Sequence, residues 1–444
     1  MQKKYNINNL SNKISISLFY KNREIKSSLT QEGFKGIFEL QFPKIQNLPE
    51  HLFEEAIQNP IGNAINPFSQ KISNLNISIA ISDSFRYTGL EQFIKPMMNK
   101  LFVCGVNPKK LKFLVSTGSH RPPTETELEL LLTPEIYNTF KQNIFIPQPE
   151  DLEQYEYLGK TKRGTPVYIY KEVMNSDLLV LTGTILYHYF AGFGGGRKLI
   201  VPGLSALPTI RHNHALSIHP EKCEIHPDVR LGKLDGNPVA EDLMEATLLT
   251  QKNYFIINTI LSPDKKILKI FCGDLIKAHQ QGAEYAQQVY SINIPHLADI
   301  VIASAGDAKN FLQSHKALVN AWQARKKPHG RIIFIAPCIE GLGGYQFQKW
   351  LEIGETEQLV THLREKGEVN GQTVISTLEK SPYTYFLTEM DEKMVNLLGG
   401  KKISSIEEGF QLACEELKKV GILKPSWIFL PHASYSVPYI SEKK

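Results

Sequence analysis

The sequence predicts an α/β protein of two lobes, with mostly parallel sheets flanked by helices and an active site in the interdomain cleft. Three observations carry this. Short apolar runs rich in β-branched residues alternate with segments of helical period. The runs are apolar nearly throughout, as strands covered on both faces must be. Polar, glycine-bearing motifs follow directly on several runs, where open parallel sheets place their ligands.

In chain order the expected strands are "NISIAIS" (76–82), "KFLVST" (112–117), "DLLVLTG" (177–183), "YFIINTIL" (254–261), "ADIVIAS" (298–304), "RIIFIAP" (331–337) and "SWIFLP" (426–431). Helical period falls near 90–103, 124–132, 205–216, 238–249, 274–290, 310–324 and 405–420. After the long helix ending near Tyr290, "SINIPHLADIVIAS" restarts the strand pattern, which divides the chain into 1–292 and 293–444. A length of 444 residues gives each part a core of its own.

Composition narrows the class. Hydrophobic residues make up 42% and charged residues 21%, values of a folded globular protein rather than a disordered one. The net charge of +5, from 50 basic and 45 acidic residues, suits an acidic small-molecule substrate and lacks the concentrated basic face that nucleic acid requires. Cysteines 104, 223, 272, 338 and 414 form no CxxC pair, which points to reduced thiols in a cytoplasm rather than a disulfide framework or a zinc site. The opening "MQKKYNINNLSNKIS" holds no apolar stretch of signal-peptide length, and no run has the length to cross a bilayer. The expectation is a soluble cytoplasmic protein with no membrane partner.

Chemistry concentrates after the strands. "ISDSFRYTG" (81–89) delivers Asp83 and Arg86, whose guanidinium is a planar fork for carboxylate or phosphate. "VSTGSHRPPT" (115–124) delivers His120. "YHYFAGFGGGRK" (187–198) sets His188 and Lys198 around Gly192, Gly194, Gly195 and Gly196, glycines that let successive N–H groups approach an anion. That block is not a phosphate-binding Walker loop, since Arg197 and Leu199 stand where glycine and Ser or Thr are needed. In "RHNHAL", His212 and His214 are two apart on a helix and face different directions, so they make no two-histidine metal clip. In "NFLQSHKALVNA", Gln313 and Lys316 are three apart and offer an amide and an ammonium to one anion, with His315 directed elsewhere. Each motif by itself also fits a solvated loop, a helix cap or a core histidine.

Taken together, "TGSHRP", "HYFAGFGGGRKLIVPG", "NHA", "GKLDGNPV", "FCGDLIKAH" and "NFLQSHKA" resemble the nickel-pincer-dependent lactate racemase family of 2-hydroxyacid racemases and epimerases, over roughly residues 76–345. The resemblance implies a cofactor, pyridinium-3-thioamide-5-thiocarboxylic acid mononucleotide carrying nickel, and proteins that synthesise it. It implies that Lys198 is joined to the cofactor through a thioamide and that His214 is the one protein ligand to nickel. Gly194, Gly195 and Gly196 would crowd the cofactor, with Asp83 and Arg86 near its phosphate. His120 and His188 would be paired acid and base, and imidazole suits both roles with an unperturbed pKa near 6.5. Arg86, Gln313 and Lys316 would hold the substrate carboxylate. Residues 1–292 would then be the cofactor-binding catalytic domain, and 293–444 would contribute substrate-binding residues.

The chain departs from the family pattern at four places. "DSFRYTG" puts Phe85 and Tyr87 beside Arg86, where the family commonly reads Asp-x-Thr-Arg-Pro. Leu312 replaces the tyrosine of the lactate-specific pattern, and Gly194 replaces a serine. The metal and hydride machinery is kept while the substrate pocket differs, so the expected substrate is lactate or a larger relative. Two other readings are a non-catalytic carrier or sensor of the pincer cofactor, and a nickel-independent phosphate-binding α/β isomerase.

Overall fold

The computed structural model describes residues 12–440 apart from 22, 44–46, 70–71, 73 and 368–369. Most of the N-terminal stretch read above for a leader, residues 1–11, lies outside the described residues.

Two six-stranded sheets form the two lobes. The first runs Ile267–Gly273, Asn253–Leu261, Leu178–Thr184, Ile77–Ser82, Leu111–Ser116, Ile144–Phe145, parallel throughout except for its first pair. The chain starts at Ile77–Ser82, adds strands on one side, then returns to build the other side from Leu178–Thr184. A crevice therefore opens at the C-terminal ends of these two neighbours, the topological switch point where such sheets bind ligands. Successive side chains of Ile77–Ser82 enter opposite cores: Ile79 and Ile81 pack with Phe53, Phe113 and Phe255, while Ala80 packs with Leu114, Leu179 and Leu181. Burial on both faces is the physical cause of the unbroken apolar runs, and each fully buried Leu, Ile or Phe contributes about 1.5–3 kcal/mol.

The second sheet is parallel throughout, in the order Lys401–Ile403, Thr384–Leu387, Arg331–Ile335, Ile300–Ser304, Trp427–Leu430, Phe34–Ile37. Helix Phe311–Gln323 follows Ile300–Ser304, capped by Asn310, whose side chain accepts the Gln313 N–H.

All seven expected strands and all seven helical segments are present, with ends shifted by one to three residues; the segment 90–103 divides into a 3₁₀ turn and helix Ile94–Val103. The reading missed the antiparallel edge strand Ile267–Gly273 and the short strands Thr384–Leu387 and Lys401–Ile403. It also missed the hairpin Lys13–Tyr20/Arg23–Thr30, which lays Ile14, Ile16 and Leu18 against Ile406, Phe410 and Leu417 of helix Ile406–Lys419. With Phe34–Ile37 paired to Trp427–Leu430, residues 13–37 lie with the second sheet, although they precede the first in sequence. They cover an edge that would otherwise expose unpaired backbone. The five cysteines are free, and no helix among the described residues is long and apolar enough to cross a membrane.

Candidate active site

Three loops at the switch point and one helix build the floor of a cleft of about 220 Å³, and the second lobe roofs it. Asp83, Arg86, His120, His188, Gly194, Gly195, Lys198, His214 and Lys316 all line it.

Asp83 is buried, and both its oxygens are engaged: Oδ2 pairs with His120 Nδ1 at 2.6 Å, and Oδ1 accepts the Phe85 N–H at 3.1 Å. The carboxylate thus directs the His120 ring rather than standing free beside a phosphate. With Nδ1–H donated to Asp83, His120 keeps the Nε2 lone pair as an acceptor. Phe85 packs on the other side of this ring with centroids 4.9 Å apart.

The glycine block folds for a different reason from the one its composition suggests. Tyr187–His188 pairs with Gly192–Phe193 in a tight antiparallel ribbon, followed by a 3₁₀ turn, Gly196–Leu199, that carries Lys198. Gly192 has φ +71°, and a Cβ there would meet the Lys233 carbonyl oxygen at 2.1 Å. A Cβ on Gly195, φ +75°, would meet Asn258 Oδ1 at 2.3 Å. The Gly194 N–H donates to the Leu186 carbonyl and the Gly196 N–H to Asn258 Oδ1, both at 2.8 Å, so neither is free for an anion. Gly194 and Gly195 form the cleft wall; Gly196 is a buried turn residue behind it. Asn237 caps helix Pro238–Leu248 and donates to the Phe190 carbonyl at 2.8 Å, and His279 Nε2 donates to the Gly194 carbonyl at 2.8 Å. These two supports sit in "GKLDGNPV" and "FCGDLIKAH", motifs from which no site residue was expected.

His188 Nδ1 accepts the N–H groups of Phe190 and Ala191, each at 3.2 Å. Its proton therefore resides on Nε2, the opposite state to His120. Burial, then Lys198, Arg86 and Lys316, holds the His188 pKa well below the usual histidine value. His214 donates Nδ1–H to the Ile210 carbonyl at 2.7 Å, leaving Nε2 unprotonated, and burial lowers its pKa to about 4. Its neighbour His212 points elsewhere and bonds Thr165 Oγ1 at 2.9 Å.

Cations dominate. Burial, with Arg86, Arg197 and Lys316 nearby, holds Lys198 well below the normal lysine range; burial, with Arg86, brings Lys316 down to about 8. Among the described residues, the one carboxylate lining the cleft, Asp83, is committed to His120. This balance attracts an anion and favours the neutral, nucleophilic form of the Lys198 amine.

Several expected residues lie outside. Gln313 is exposed, its amide oxygen accepting the Lys309 N–H at 3.2 Å, and it does not line the cleft. Three residues along a helix still leave a rotation of about 60°, enough to separate Gln313 from Lys316 at the rim. Leu312 packs on the second-lobe core, and Tyr87 turns to Glu91 and Gln92. His315, directed away from the cleft as expected, is buried against Phe311 and Tyr189. Tyr189 crosses between the lobes: its ring lies parallel to that of His188, 5.3 Å apart, and its hydroxyl meets Thr373 Oγ1 at 3.0 Å. The second lobe also contributes Asn370, Gln372 and Thr373, which no sequence motif marked.

The profile of the "Lactate racemase N-terminal domain" family matches residues 20–225. The chain is 31% identical over 345 residues to a lactate racemase of Lactiplantibacillus plantarum, spanning 75% of this chain and 77% of that one. It is 28% identical over 354 residues to a lactate racemase of Thermoanaerobacterium thermosaccharolyticum, spanning 78% and 79%. Its fold superposes on the lactate racemase apoprotein structure from the latter organism with a TM-score of 0.85 at 24% identity, covering 96% of this chain and all of that one. A Thermotoga maritima protein shares the fold with a TM-score of 0.63 at 14% identity.

Proposed function

The chain belongs to the lactate racemase family and is an isomerase, and from that premise we propose that it inverts C2 of a 2-hydroxyacid using a nickel-pincer nucleotide. The observation that carries this reading is the convergence of His120, His188, Lys198 and His214 on one cationic cleft.

The residues fit the cofactor. His214 offers a neutral imidazole whose Nδ1–H is fixed by a backbone carbonyl, the usual support for a metal-ligating histidine. Among the described residues no group of three or more His, Cys, Asp or Glu could hold a metal ion, so a metal on His214 takes its other donors from a non-protein group. His214 would hold the nickel through its imidazole, and the pincer nucleotide would supply the remaining donors. Burial and neighbouring cations lower the Lys198 pKa, which favours the nucleophilic amine that the thioamide link needs. Gly194 and Gly195 give the cofactor a wall without side chains. When bound, the group supplies a two-electron acceptor that takes a hydride from C2 and returns it.

The chain's own residues do the rest. Arg86 and Lys316 hold the substrate carboxylate from opposite lobes. His120, oriented by Asp83, accepts the hydroxyl proton at Nε2. His188 presents Nε2–H to the opposite side and hydrogen-bonds the oxygen there. The resulting 2-oxoacid is planar at C2, so either face can be reduced. For His188 to take a proton in its turn, the Phe190 and Ala191 N–H groups must release Nδ1, so the two histidines are unequal partners. Residues of the first lobe would hold the cofactor and the second lobe would close over the substrate, in the cytoplasm where the five thiols stay reduced.

The test is protein purified from a cofactor-making host, assayed for nickel, for a mass increment on Lys198, and for inversion of enantiopure 2-hydroxyacids. Inversion with the increment present supports the reading. Bound nickel without inversion of any acid would instead favour a carrier, a role for which the His120–Asp83 pair has no use.

A further inference from the structure

Gln372 is fully buried and lines the catalytic cleft, and among the described residues neither its amide oxygen nor its amide nitrogen has a hydrogen-bond partner. Leaving both ends of a buried amide unpaired is costly against the small net stability of a domain. Its helix, Gly371–Lys380, buries Gln372, Thr373, Val374 and Ile375 in succession, and an apolar residue at 372 would remove that cost. A group so placed is explained when a ligand completes it.

Its neighbours point the same way. The described second-lobe residues that line the cleft are Lys316, Asn370, Gln372 and Thr373, and all are polar. Apolar lining comes from the first lobe, from Leu186, Phe190, Leu199 and Ile210. A methyl group held toward the second lobe would leave the Gln372 amide buried and dry. A hydroxyl or carboxylate there would accept from its nitrogen, and a hydroxyl would also donate to its oxygen.

Building on the racemase reading, we propose that Gln372 is a specificity-determining residue, and that the substrate is a 2-hydroxyacid carrying a hydrogen-bonding group beyond C2, either a hydroxyl or a second carboxylate. This role differs from the one expected of Gln313, an amide for the C1 carboxylate; Gln313 lies outside the cleft. Sites built to hydrogen-bond a substrate group discriminate strongly against analogues that lack it, because the protein's own polar atoms are then left unpaired.

The experiment compares glycerate and malate with lactate and 2-hydroxybutyrate, by calorimetric binding and by turnover, on cofactor-loaded wild-type protein and on Gln372→Met. At least one polar acid is expected to bind about tenfold or more tightly than lactate, and Gln372→Met to shrink that ratio to near unity. Glycerate preferred over malate identifies the hydroxyl; malate preferred identifies the carboxylate. The apoprotein of Gln372→Met is expected to melt at a higher temperature than wild type. Lactate binding as tightly as both polar acids, a ratio untouched by Gln372→Met, or loss of the Lys198 mass increment in that variant would each overturn the proposal. The last would mean that the amide serves the cofactor. Intact binding preferences without inversion of any acid would overturn the racemase reading alone.

Discussion

Asp83 Oδ2 lies 2.6 Å from His120 Nδ1, and this pair joins the ends of two adjacent parallel strands across the mouth of the cleft. A buried carboxylate in this position selects the tautomer that leaves Nε2 able to accept a proton. Asp83→Asn keeps the shape and loses that selection. A fall in kcat of about 10²- to 10⁴-fold is expected, with little change in KM. Steady-state kinetics on both enantiomers check it, and a wild-type kcat in the variant would remove Asp83 from the mechanism.

Among the described residues, Lys198 is the only first-lobe lysine lining the cleft, and burial among cations lowers its pKa. Lys198→Ala is expected to abolish both the covalent mass increment and racemisation. Intact-protein mass spectrometry reads the first without any assay of the second. A variant that keeps the increment would place the attachment elsewhere.

Four histidines of lowered pKa, His188 among them, set an acid limit on stability. Burial lowers His214 to about 4, and His279 and His315 to about 3, from 6.5. Between those values and 6.5 the unfolded chain binds more protons than the folded one, so stability rises with pH across the window. The folded state is therefore expected to lose stability as pH falls below about 6.5, continuing toward 4 and below. Melting curves from pH 7.5 to 5 test this.

His315 sharpens the same test, because among the described residues neither of its ring nitrogens has a hydrogen-bond partner. His315→Phe fills the space beside Phe311 and Tyr189 with an apolar ring. It is expected to stabilise the protein by about 1–3 kcal/mol and to flatten the acid slope, as read by urea titration at two pH values. A destabilised variant with an unchanged slope would show that the imidazole is held by a partner in solution.

Tyr189 links His188 to the second lobe through Thr373. Tyr189→Phe retains the ring beside His188 and removes only the bond between lobes. A loss of about 2- to 10-fold in kcat/KM is expected, the equivalent of one hydrogen bond. Tyr189→Ala, which also removes the ring, should cost considerably more. Equal losses in the two variants would mean that the ring itself does nothing for His188.

The sequence by itself determined the parallel architecture and the loops that bear Asp83, His120, His188 and Lys198. Both depend on features local to the chain: apolar runs buried on two faces, and loops that begin where those runs stop. Helical spacing excluded a two-histidine clip of His212 and His214, and the family resemblance pointed to His214. Only the tertiary structure decided which side chains meet. It consumed the Gly194 and Gly196 N–H groups within the fold, carried residues 13–37 to the far lobe, and turned Gln313 outward while Gln372 lines the cleft. Each of these depends on how one element packs against another distant in sequence. A helix's period states which residues share a face but not which neighbour that face will meet.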